Sequence, residues 1–71
     1  MIDLKSVEFE ILCFLQDTKV MTGLCTYKSL VEKFGEKEVR KCMYEKKLIY
    51  EDRKNTNGME WTRLGREYMG F

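Results

Sequence analysis

The chain has 71 residues, a formal net charge of +1 and no histidine, with 44% hydrophobic and 13% aromatic residues. That leaves room for one domain, 1–71, with a modest core. It is too apolar for a disordered chain and too balanced in charge for a general attraction to nucleic acid. No apolar run approaches the roughly 20 residues of a membrane span, and the opening MIDLKSVEFE is acidic where a secretory leader is basic. The expectation is a soluble cytoplasmic protein with no membrane partner.

Residues 4–16 predict the first helix. Leu4, Val7, Ile11, Phe14 and Leu15 recur at helical spacing and form one apolar face. Asp3 or Ser6 can cap its start, and Glu8 and Glu10 suit the positive end of the helix dipole. Phe9 and Cys13 fall on the far side, to pack against Tyr68, Met69 and Phe71 or against a second copy of the chain. Residues 17–25 read as a connection with weak strand character around Leu24. Thr26 then looks like the cap of a second helix, YKSLVEKF, with Leu30, Val31 and Phe34 inward. Gly35 is placed to end it, because glycine takes left-handed backbone without a Cβ clash.

Residues 36–47 predict a third helix with a narrow buried stripe of Val39, Cys42 and Met43. On the helical wheel Lys37, Arg40, Lys41 and Tyr44 gather on the opposite side. A hairpin follows, Leu48 to Lys54 and Met59 to Trp61. Its signal is Asn57-Gly58, since a type I′ turn needs positive φ at both central residues. Pairing across that turn sets Lys54 opposite Trp61 and Thr56 opposite Met59, and puts Leu48, Tyr50, Met59 and Trp61 on one face. Thr62 reads as the cap of a short last helix, RLGREYM.

Cys13, Cys25 and Cys42 are isolated and odd in number, and no histidine can join them at a zinc ion. Buried free thiols in a reducing compartment are expected, with no metal or cofactor. An enzyme is not expected either. The chain has no histidine to act as general base and no glycine-rich phosphate loop, and Glu51-Asp52 point to opposite faces of a strand. Charge is uneven, however. Residues 1–35 hold four Lys and five Asp/Glu, whereas residues 36–66 hold nine Lys/Arg and six Asp/Glu.

Two stretches carry a family resemblance. MYEKKLIYEDR resembles the end of the recognition helix and the first wing strand of the winged helix-turn-helix superfamily, L-x-x-x-G-L-I. Met43 stands for the leucine, Lys47 for the glycine and Leu48-Ile49 for the start of the strand. WTRLGREYM is similar to the second wing strand and following helix, with Thr62 and Gly65 at the Thr and Gly of L-T-x-x-G. The resemblance covers about residues 6–70. It implies an α+β fold: three helices, a C-terminal β-hairpin wing and a short last helix.

The resemblance also implies function: a small regulator of transcription that binds double-stranded DNA. Lys37, Arg40, Lys41 and Tyr44 would face the major groove, and Arg53, Lys54, Asn55 and Asn57 would sit on the wing. Lys28 and Ser29, at the start of the second helix, would meet phosphate. Lysine and arginine release counterions from phosphate, arginine can grip a guanine edge, and asparagine an adenine. Asparagine also suits turns in its own right. With so low a net charge, tight binding would need two copies on a two-fold site, a homodimer. Two features depart from the family. The stretch from Gly35 to Val39 is short, and Glu36 and Glu38, which repel phosphate, open the third helix. They favour the alternative, a protein-binding winged helix of the kind a phage or virus uses as inhibitor or adaptor.

Overall fold

A computed structural model of the chain describes residues 6–71. Asp3 and Leu4, assigned above to the first helix and its cap, lie outside the described residues. Helix α1 spans Val7–Thr22. Ser6 caps it, its hydroxyl accepting from the Phe9 N–H at 3.1 Å. Ile11, Leu12 and Leu15 are fully buried while Val7 is exposed, so the buried stripe is turned toward Leu12 relative to the expected one. The helix also continues beyond Gln16, through most of the predicted connection. Val20 and Met21 face solvent there, which removes the apolar periodicity that would have announced it. Gly23, at φ 87°, ends α1 by donating its N–H to the Lys19 carbonyl at 2.8 Å.

No strand forms around Leu24. That connection meets the sheet through one main-chain bond, from the Met59 N–H to the Cys25 carbonyl at 2.6 Å. Helix α2, Tyr27–Phe34, starts at Thr26, whose hydroxyl accepts from the Ser29 N–H at 3.1 Å. Leu30 is buried, and Phe34 sets its ring edge-on to Phe14 at 5.6 Å.

Gly35 alone joins α2 to α3, Glu36–Arg40. At φ 91° and ψ 145° it donates to the Val31 carbonyl at 2.8 Å and accepts from the Val39 N–H at 3.2 Å. One residue thus closes one helix and opens the next, which accounts for the short stretch seen in the sequence. The third helix does not stay α-helical to Lys47 as expected. From Lys41 to Glu45 it widens into a π-helical turn, with the Lys46 N–H reaching the Lys41 carbonyl at 2.9 Å. Lys47 then takes left-handed backbone, φ 57°, and the Leu48 N–H returns to the Cys42 carbonyl at 2.9 Å.

Strands β1, Ile49–Asp52, and β2, Gly58–Trp61, pair antiparallel. The register differs from the expected one: Ile49 faces Trp61 and Glu51 faces Met59. The cause is the loop, Arg53–Asn57. Asp52 organises it, its carboxylate accepting from the Asn55 N–H at 3.0 Å and its carbonyl from the Asn57 N–H at 2.6 Å. Asn57 has φ 60°, but Gly58 does not have positive φ and already pairs with Asp52, so no type I′ turn forms. A Cβ on Gly58 would push aside the end of the Leu24 side chain and crowd the Cys25 carbonyl. With this register Ile49 and Met59 point inward, and Tyr50, placed in the core by the expected pairing, faces solvent.

Helix α4, Arg63–Tyr68, is capped by Thr62, which accepts from the Gly65 N–H at 3.0 Å and donates to the Lys47 carbonyl at 2.6 Å. A Cβ on Gly65 would overlap the Leu48 carbonyl, so glycine lets α4 lie close on the start of the hairpin. Tyr68 reaches back to Ser6, with the two hydroxyls 2.8 Å apart. Among the described residues, ten apolar ones from α1, α2, α3, its π-helical end, the hairpin and the connection at Cys25 form the core. Each fully buried Ile, Leu or Met contributes about 1.5–3 kcal/mol. The result is an α+β topology, helices followed by an antiparallel hairpin, compatible with a winged-helix order. Among the described residues no helix is long and apolar enough to cross a membrane.

Candidate nucleic-acid interface

Val39 and Cys42 anchor the third helix in the core, which turns Lys37, Arg40, Lys41 and Tyr44 outward. All four are exposed as the wheel predicts. Arg40 lies over the Tyr44 ring, 5.4 Å from its centroid, a cation–π contact at the surface. The ion pairs among the described residues are Lys19–Glu60, Arg53–Glu51 and Arg63–Glu67, and none engages Lys37, Arg40 or Lys41. Glu36 is exposed and Glu38 half-buried at the opening of the same helix.

On the wing the predicted residues divide by role. Arg53 Nε donates to Glu51 Oε1 at 2.9 Å, while the side chain as a whole stays 84% exposed. The hydrogen bond and charge of Glu51 raise its pKa further, so it remains a cation. Lys54 is exposed. Asn55 turns its amide to Asp52, with Nδ2 3.3 Å from Oδ2, and Asn57 supplies the left-handed residue of the loop. Both asparagines therefore shape the tip. At the start of α2, Lys28 is exposed, whereas the Ser29 N–H and hydroxyl are both engaged by Thr26, at 3.1 and 3.0 Å. That engagement leaves one fewer amide for a phosphate there.

The fold joins the helix face to the base of the wing. Tyr44 and Arg53 line one open groove together with Met43, Ile49, Tyr50 and Glu51. Tyr50 is the residue that sequence reasoning missed. Its signal was the alternation IYED, in which a buried Ile49 forces Tyr50 outward, but the expected turn reversed that phase. Lys37, Arg40, Lys41 and Tyr44 border a second shallow surface next to it.

The thiols stand apart from this surface. Cys25 and Cys42 are buried and Cys13 half-buried, all free. Burial pushes the Cys42 thiol up to about 12, with Glu8 adding to the rise and Lys46 opposing it. Burial likewise raises Cys25 and Cys13. Among the described residues no three of His, Cys, Asp and Glu converge as a metal site would require. No family model, curated protein or solved structure matches the chain.

Proposed function

We propose that this chain is a winged-helix module that binds double-stranded DNA, acting as a small transcriptional regulator. The third helix enters the major groove, and the wing tip meets the phosphate backbone. The observation that carries this reading is the exposed face of Lys37, Arg40 and Lys41, which is free of ion pairs with described residues and continuous through Tyr44 with Arg53. Unpaired cations keep their full value for counterion release.

The test is a salt-titrated anisotropy assay on a mixed-sequence duplex. Binding should weaken linearly in log-log form as salt rises, with a slope of about −0.9 for each phosphate contact. No binding at about 50 mM salt and micromolar protein, conditions at which non-specific contacts register, would sink the reading.

A second reading, binding to another protein, has its own observation. Val20 and Met21 are 75% and 83% exposed, beside a partly exposed Leu24, and Phe71 is 79% exposed. Aliphatic side chains this open on a small domain suit a protein surface better than a phosphate backbone. Duplex binding with a salt slope decides for DNA; its absence transfers the surface to a protein partner.

A further inference from the structure

We infer that the groove between the third helix and β1 takes an unpaired nucleobase, so that the protein favours a DNA duplex carrying a short single-stranded tail. The inference rests on the duplex-binding reading and adds a specific ligand to that surface.

Two tyrosines line the groove. Tyr44, from the π-helical turn, is 63% exposed, and Tyr50, from β1, is 44% exposed. Met43 and the buried Ile49 also line the groove. A base offers the matching chemistry, two flat faces and a polar edge, and stacking accepts any of the four bases.

Charge completes the match. Arg40 sits on Tyr44, and Arg53 stands in the groove wall, held through Nε by Glu51. The rest of its guanidinium is open to solvent, where it can meet the phosphate of a tail nucleotide. The same carboxylate repels a phosphate placed on its own side of the groove.

A base paired inside the duplex cannot enter, because it is stacked on both faces and bonded to its partner strand. A tail leaving the duplex end next to Lys37, Arg40 and Lys41 has no such restraint. Tyr44 lies within the widened turn at Lys41–Glu45.

The experiment compares one duplex in four forms: blunt, with a three-nucleotide 5′ tail, with a three-nucleotide 3′ tail, and with an abasic tail of matched length. A tailed duplex, of one polarity or both, should bind on the order of tenfold more tightly than the blunt form, and the abasic tail should bring no such gain. A 2-aminopurine in the tail should lose fluorescence on binding as it stacks. In Tyr50→Leu the ratio of tailed to blunt affinity should fall to near one, while Tyr50→Phe should keep it. Folding of each variant is checked by circular dichroism. Equal affinity for blunt and tailed forms, or an abasic tail as good as a natural one, overturns this inference and leaves the duplex reading standing. Failure of every form to bind overturns both.

Discussion

The indole N–H of Trp61 donates to the main-chain carbonyl of Leu12 across 3.0 Å, fastening β2 to the middle of α1. The side chain is half-buried and packs on the core, and it faces Ile49 across the sheet. Trp61→Phe should keep most of the packing and lose the bond, at about 1 kcal/mol. Trp61→Ala should cost about 3–5 kcal/mol, a large part of the stability of so small a domain. Urea unfolding of the two variants separates these contributions. A Trp61→Ala midpoint close to the parent's would mean that the ring contributes little to folding.

Gly35 and Lys47 make opposite predictions from the same backbone rule. Gly35 lies where essentially only glycine is found, and open space surrounds the position of a Cβ. Gly35→Ala should therefore lose about 1–3 kcal/mol through backbone strain alone. Lys47 holds a left-handed conformation that disfavours a side chain. Lys47→Gly should gain up to about 1 kcal/mol, less any added entropy of the unfolded chain. Thermal melts of the pair should move in opposite directions, and a loss in Lys47→Gly would show that its side chain holds the turn.

The buried Cys42 thiol links stability to alkaline pH. Its folded pKa, about 12, lies above the ordinary value of 9.0. The folded state therefore holds this proton more tightly than the unfolded state does. The contribution is fully present below pH 9 and is lost as pH rises toward 12, at up to about 1.4 kcal/mol per pH unit. Cys42→Ala should be less stable at neutral pH but lose stability more slowly over that alkaline range. Parallel pH profiles for parent and variant would refute the linkage. Addition of a chelator should leave the melting curve in place, and loss of helix on chelation would reveal a metal.

On DNA, the helix and the wing should respond differently to truncation. Lys54→Ala should weaken binding evenly across sequences and reduce the salt slope by about one ion, as a phosphate contact does. Arg40→Ala should cost about 1–3 kcal/mol on a preferred site and less elsewhere. Equal losses from Arg40→Ala on every duplex would remove the third helix from base reading.

Glu51 restrains Arg53 and opposes phosphate at the same time. Glu51→Gln should strengthen DNA binding at low salt, and the gain should shrink as salt screens the lost repulsion. A gain that persists unchanged at high salt would point to a rearranged wing rather than to charge.

Features that depend on neighbours a few residues apart can be read from residue type and order alone. Ser6, Thr26 and Thr62 each cap a helix through an amide three residues on, and Gly35 ends α2, so each was legible from residue type and position. The outward face of the third helix was legible for the same reason, because Val39 and Cys42 fix its rotation. Other features follow from packing that no local pattern announces. Residues 17–22 are helical although Val20 and Met21 show no periodicity, and Lys19 in that stretch pairs with Glu60 of β2. The hairpin was foreseen but its register was not. Asp52 gathers the loop around itself, and Gly58 sits close against Leu24 and the Cys25 carbonyl, so the strands pair in the one phase that buries Ile49 and Met59 together. That phase turns Tyr50 outward, where it lines one groove with Tyr44 across the short turn at Lys46–Leu48.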